Sequence, residues 1–425
     1  MGSSGLRSFD FSMYVLLFGV LLMHLGSYLV LPLLPIFLKL QKGMTVEQIG
    51  IILAVSPFMF QLGSLSGGVL ADRVGRRLII AAGAWVNAAA LAGYAFFHNF
   101  WLFVAMGLLS GLGVGLNAPA TKAAIAVLAS EESQKTTAFS MRGIAANMGI
   151  AMAGILSFFV LGGASNVLFY AAAGIFIGLG ATFWMALPKG CHEPCETTPL
   201  SSYKEMLKNK AFLVFSLMSI AIWAVYTQLS LSLPLRAESI LPDPSAVSII
   251  WTINSVIVIF LQTPISRLLL EKIHPLSALA AGMLFIGAGL GSVFWSTSFS
   301  WLIFSGVLFI IGEMFIVPTI DTTVSQFGTA RMLGVFFGVS NFVSGLGESA
   351  GKFTGGQLLS LGTDSALPWA TYAVVSAAIA LGLLGLKAWR PMKSAFPEKA
   401  SAKEAYQAPY SSWINWILGI KRRAK

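Results

Sequence analysis

Apolar runs long enough to cross a bilayer follow one another along this chain, with only short links between them. A run of about 20 apolar residues spans the hydrocarbon core as a helix. In lipid the backbone must satisfy its own hydrogen bonds, so helices are the form such runs take. Runs at 11–38, 45–70, 78–97, 101–128, from about 136, and 167–187 predict six helices. Runs at roughly 211–235, 245–270, 276–296, 300–327, 332–361 and 366–390 predict six more. The expected fold class is an all-α integral membrane protein with 12 transmembrane helices in two pseudo-symmetric six-helix halves. Of the 425 residues, 56% are hydrophobic and 10% are charged, against about a quarter charged in a soluble domain. The first run is too long for the core of a signal peptide, and no small-residue cleavage site follows it.

The net charge of +10 would suit nucleic-acid binding, but its placement argues against that partner. Lys39, Lys42 and Arg236 are the basic residues expected on the far side of the membrane, and nearly all the others fall in alternate links and at the termini. That asymmetry predicts a multi-pass protein of the cell (plasma or inner) membrane with both termini cytoplasmic. The halves are expected at 1–187 and 211–390. A polar linker at 188–210 carries Lys189, Lys204, Lys208 and Lys210. The tail at 391–425 pairs Trp413, Ile414, Trp416, Ile417 and Ile420 with Lys421, Arg422, Arg423 and Lys425. It reads as a short interfacial helix or as a disordered basic tail. In the linker, Cys191-His192-Glu193-Pro194-Cys195 fits no zinc pattern, so no metal is expected and the thiols read as reduced.

Between the second and third runs lies Gly67-Gly68-Val69-Leu70-Ala71-Asp72-Arg73-Val74-Gly75-Arg76-Arg77. A tight turn between packed helices accounts for the glycines, and basic residues hold it at the cytoplasmic side. Gly68-x-Leu70-Ala71-Asp72-Arg73-x-Gly75-Arg76-Arg77 resembles the signature loop of the major facilitator superfamily of secondary transporters. The first run, with Gly26, Pro32 and Pro35, resembles the first helix of the drug–proton antiporters in that superfamily. Gly149-x-x-x-Ala153-Gly154 resembles their fifth helix, with Gly154 where a proline is expected. Helix eleven mirrors it in Gly347-x-x-x-Gly351-Lys352. Gln262-Thr263-Pro264-Ile265-Ser266-Arg267 stands in the second half where the signature loop stands in the first, and Pro318 mirrors Pro119. Gly107 departs from the pattern, standing four residues before Gly111 where the family usually has an arginine. The resemblance implies alternating access around a central site, with Asp72 latching the first half to helix eleven in the outward-open state.

The chemistry is expected at ionisable groups inside the membrane. A charge at the bilayer centre costs about 2.5–3.5 kcal/mol on insertion scales, so it wants a partner or a function. Glu313 and Asp321 lie in helix ten, and Glu348 and Lys352 lie one turn apart in helix eleven. They read either as proton-coupling groups or as a buried ion cluster joining the two helices. His24 is a further candidate, as a cavity residue or a structural hydrogen-bonder. The first half supplies Lys122 and Arg142, read as cavity residues or as interface anchors. If both face a cavity, neutral amphiphiles, zwitterions or anions with an apolar body fit better than simple cations. Asn87, Asn117, Asn147, Trp223, Tyr226, Gln228 and Asn254 complete the candidate substrate cavity.

No Ser/His/Asp arrangement and no Gly-x-x-x-x-Gly-Lys phosphate loop is evident, so neither an enzyme nor an ATP-driven pump is expected. The resemblance implies a proton-coupled exporter of small amphiphilic molecules, monomeric, with no cofactor beyond the proton gradient. Its partners are then the substrate, protons and the lipid bilayer. A proton-coupled importer of a small polar metabolite and a lipid or glycolipid flippase are the alternatives on the same scaffold.

Overall fold

The computed structural model describes residues 9–129, 132–160, 163–188, 206–270, 272–327 and 333–395. The Cys191–Cys195 segment and the expected interfacial helix of the tail lie outside the described residues, as does most of the linker. The described residues form α1 (Phe11–Leu40), α2 (Val46–Val74), α3 (Arg76–Phe96), α4 (Phe100–Leu128), α5 (Glu132–Ile155) and α6 (Asn166–Ala186). They continue in α7 (Lys210–Ile240), α8 (Ser248–Ile265), α9 (Pro275–Ser292), α10 (Phe299–Ser325), α11 (Leu333–Leu359) and α12 (Ala366–Ala388). Eleven of these segments are both long and apolar enough to span a membrane. The other, α11, has the length, but Gly, Ser, Asn, Glu348 and Lys352 dilute its apolar character.

Local chemistry sets the boundaries. Thr45 and Gln48 form a reciprocal capping box at the start of α2. Asn99, Asn209 and Ser298 cap α4, α7 and α10 with their side-chain oxygens. His274 caps α9, its Nδ1 accepting from the Leu276 N–H at 3.2 Å. Burial, with Lys387 nearby, holds this imidazole below the usual histidine range, which keeps the acceptor lone pair available. Two spans are broken within the membrane. In α1 the helix yields to a turn at residues 31–33, beside Pro32 and Pro35. In α7 it breaks at Thr227. The α5 and α8 helices each continue into a π-turn, Leu156–Val160 and Ser266–Leu270. The break in α7 and both π-turns leave no mark in the apolar pattern.

The signature segment differs from the expected loop. The α2 helix runs on through Asp72 to Val74, and α3 starts at Arg76, so the break is Gly75 alone. Gly75 has φ +100°, a conformation glycine adopts without a Cβ penalty. Arg77 stacks over the Trp184 ring at 4.4 Å and reaches the Leu187 carbonyl, so it ties α3 to α6. Arg76 is buried and Arg73 is exposed. The Asp72 side chain lies outside the described part of the structure, as does the surrounding of Gly68.

Helix packing repeats on adding six to each helix number. In the first half α1 packs on α5, α2 on α4, α3 on α4 and α3 on α6. In the second half α7 packs on α11, α8 on α10, α9 on α10 and α9 on α12. The crossings between halves are α2 with α11 and α5 with α8, which the same shift exchanges.

Polar contacts between the halves, among the described residues, lie toward the face that carries the α1–α2 and α7–α8 links. Lys39 pairs with Glu238, and Glu47 bonds Ser360. The Thr252 hydroxyl donates to the Ala151 carbonyl at 2.9 Å, and Ser248 donates to Gly154 at 3.2 Å. At this face α2 and α11 meet backbone to backbone: a Cβ added at Gly50 would lie 2.7 Å from Gly356 Cα and 2.9 Å from the Lys352 carbonyl oxygen. The three basic residues expected on this face are all engaged. Lys42 donates to the Ala95 carbonyl at 2.7 Å, and burial holds its ammonium below the usual lysine range. Arg236 pairs with Asp364 and also bonds the carbonyls of Thr363 and Ser296.

A side chain at Gly50 cannot be accommodated while this face is shut. Gly50→Ala is predicted to open it. In a cysteine-free background carrying Ser27→Cys, a membrane-impermeant thiol reagent applied to this face should label Gly50→Ala about tenfold faster than the parent. An unchanged rate would show that the Gly50–Gly356 crossing does not control closure.

Candidate functional site

Between the halves lies a cavity of about 850 Å³, within the range of small-molecule sites. Its walls follow from helical spacing. The α4 helix contributes Ser110, Val114, Ala118 and Lys122, each four residues apart, and α11 contributes Asn341, Ser344, Glu348 and Lys352. From α7 come Trp223, Tyr226, Thr227 and Ser230, and from α8 Trp251, Asn254, Ser255 and Val258. Exposed Lys122 and Asn341 mark the open end, on the side of the signature segment. The other end is closed by the crossings described above.

Glu313 lies midway along α10 and is the one residue of that helix in the cavity wall. Its Oε2 accepts from Asn254 Nδ2 at 3.2 Å, and the Tyr226 hydroxyl bonds it as well. Tyr28 of α1 is close enough to interact electrostatically with both Glu313 and Glu348. Tyr226 is held in place by Trp223 on one side, 4.9 Å between ring centres, and by Phe309 on the other, 5.5 Å. Glu348 and Lys352, one turn apart, interact electrostatically, and both reach the cavity.

Nine of the predicted residues meet in this one cavity: Asn87, Lys122, Asn147, Trp223, Tyr226, Asn254, Glu313, Glu348 and Lys352. Five do not line it. Asn117 is 2% exposed and locks α4 to α3, donating to the Ile80 carbonyl at 2.8 Å. Gln228 is also 2% exposed; it donates to the Ala224 and Gly351 carbonyls and accepts from Ser232. His24 turns its Nδ1 to the Val20 carbonyl, 2.8 Å away, beside the closely packed Gly149 of α5. Asp321 is exposed near the end of α10 and interacts electrostatically with Lys122. Arg142 stands behind Lys122, close enough to interact electrostatically with it and with His24. Among the described residues its buried Nε has no hydrogen-bond partner. The sequence reading missed Tyr28 and the stripe Ser56, Phe60, Gln61 and Ser64 on α2. Ser56, Gln61 and Ser64, at spacings of five and three in an apolar helix, were the signal available for that stripe.

The arrangement has the form of a substrate chamber: two six-helix halves, one central cavity, one closed face and one open face. The family model of the Major Facilitator Superfamily matches residues 16–352. The chain belongs to the Major Facilitator Superfamily. It is a membrane transporter rather than an enzyme. It is 26% identical over 393 residues to the multidrug resistance protein MdtH of Escherichia coli strain K12 / DH10B, across 92% of this chain and 95% of that protein. It is similar in fold to a solved POT family transporter in complex with 5-aminolevulinic acid, with a TM-score of 0.74 and 17% identity. That match covers 88% of this chain and 95% of that one. The solved nucleoside transporter NupG matches with a TM-score of 0.71 and 16% identity, over 90% of this chain and 100% of that one. The superfamily arginine has no room here: a Cβ at Gly107 would already lie 2.9 Å from the Ile52 carbonyl oxygen and 3.2 Å from the Tyr94 hydroxyl.

The two asparagines separate structure from site. Asn117→Ala removes the bond to α3 and the acceptor of the buried Thr121 hydroxyl, at a cost of about 1–3 kcal/mol. It should lower the melting temperature while leaving ligand affinity of the folded protein unchanged. Asn254→Ala should do the reverse. Equal effects on melting and affinity in both variants would contradict these assignments.

Proposed function

We propose that this transporter is a proton-coupled exporter of small amphiphilic molecules that works by alternating access, with Glu313 as the principal proton carrier. The observation that carries the reading is the setting of Glu313. It faces the cavity at mid-membrane depth and, among the described residues, bonds only the neutral groups of Asn254 and Tyr226. An ionised carboxylate there is costly without a cation. A proton or a positively charged substrate group would each relieve that cost, and the two would compete for the same oxygens. Glu348 is the secondary carrier, because Lys352 offsets its charge. Asp321 acts through Lys122 at the open end.

Charge placement in the links supports cytoplasmic termini in the cell membrane. The open face is then cytoplasmic, and the conformation is inward-facing. Export is supported by the resemblance to the multidrug resistance protein and by a cavity with broad aromatic walls. The protein acts as a monomer, since each chain contains a complete cavity.

Glu313→Gln mimics a permanently protonated side chain. In proteoliposomes with and without an imposed pH gradient, it should abolish gradient-driven movement of ethidium yet retain dye exchange across the membrane. If the variant responds to the gradient as the parent does, Glu313 is not the coupling group. Inside-out against right-side-out vesicles separate export from import.

A further inference from the structure

The charges that line the cavity are divided between its two walls. Lys122 is the only charge among the described lining residues of the first half, whereas Glu313, Glu348 and Lys352 come from the second. Glu348 and Lys352 offset each other along α11. That leaves Lys122 and Glu313 as two poles of opposite sign. Among the described residues, Glu313 is bonded by neutral donors only. Lys122 has Arg142 nearby, whose buried Nε has no hydrogen-bond partner among the described residues, and its acidic neighbour Asp321 is outside the cavity wall.

The poles are too far apart to neutralise each other. Glu313 is at the middle of α10, whereas Lys122 is near the end of α4. Measured back from the ends of their helices, at about 1.5 Å per residue, they are offset by roughly 9 Å along the bundle. The cavity wall also contains Leu53, Phe60, Trp223 and Trp251. An acid at Lys122 alone leaves Glu313 without a cation, which is the costly outcome for an ion in a low-dielectric site, and an amine at Glu313 alone leaves the attraction of Lys122 unused. An α-amino acid head group carries both charges too close together to reach both poles.

We propose that the cavity selects elongated zwitterionic amphiphiles, with the cationic end at Glu313, the anionic end at Lys122, and an apolar body against the aromatic wall. The proposal rests on this cavity being the transport site, but not on proton coupling.

The test is equilibrium binding to the full chain in nanodiscs at neutral pH, with no gradient. The probes share one biphenyl body: 4'-(aminomethyl)biphenyl-4-carboxylic acid, 4-(aminomethyl)biphenyl and biphenyl-4-carboxylic acid. The two-ended compound should bind about tenfold or more tighter than either one-ended compound, since each charge-assisted contact is worth at least that factor. Lys122→Gln should bring it down to the affinity of the amine, and Glu313→Gln to that of the acid. The proposal is overturned if the amine binds as tightly as the two-ended compound, if none of the three binds, or if Lys122→Gln weakens all three alike. Should Lys122→Gln fail to fold, the ranking on the parent protein decides. Loss of proton coupling would appear in the gradient experiment and would leave this ranking untouched.

Discussion

A carboxylate at mid-membrane depth must be neutralised, paired or exposed to water, and most of this structure can be understood from how Glu313 meets that demand. Its neighbours are a phenol and an amide, both neutral. Hydrogen bonds of that kind stabilise either protonation state without fixing one. A lysine in place of Asn254 would hold the carboxylate ionised and make it an inert ion pair. The second half of the cavity contains such a compensated group in Glu348 and Lys352. On the proposed reading, the contrast between the two glutamates makes Glu313 the principal proton carrier and Glu348 the secondary one.

Access to that carboxylate depends on how closely the helices can approach. The face with the α1–α2 link is shut by contacts that involve backbone and small residues: Gly50 against Gly356, and Gly154 against Ser248 and Thr252. Close approach of this sort gives packing and short hydrogen bonds with little side-chain reorganisation, so it can form and separate as a unit. Few charges cross the boundary, chiefly Lys39 with Glu238. Lys352 and Gly356 are one turn apart on α11, so closure at the rim and the field in the cavity are carried by the same helix.

The spans were legible in the sequence because the bilayer imposes one length on every apolar run, and their ends agree with the structure to within a few residues. The extension of α2 through Asp72 was not, since Gly-Gly reads as a loop, whereas a bilayer-exposed helix tolerates glycine when a neighbour packs against it. The Thr227 break lies beside a tertiary contact, that of Gln228 with Gly351. The site was legible by residue type but not by face. Asn87 and Asn117 are both asparagines in apolar helices and both bond between α3 and α4, yet of the two Asn87 alone lines the cavity. Lipid-facing and protein-facing positions are both apolar in such helices, so the usual amphipathic period does not tell them apart.

The central claim is that a proton and a substrate share the Glu313 oxygens. The direct measurement is proton release from the purified transporter in weakly buffered solution when a cationic amphiphile binds. Linkage between the two equilibria predicts release of about one proton per bound ligand at a pH where the site is protonated, and none from Glu313→Gln. Binding with no release from the parent protein would contradict the account.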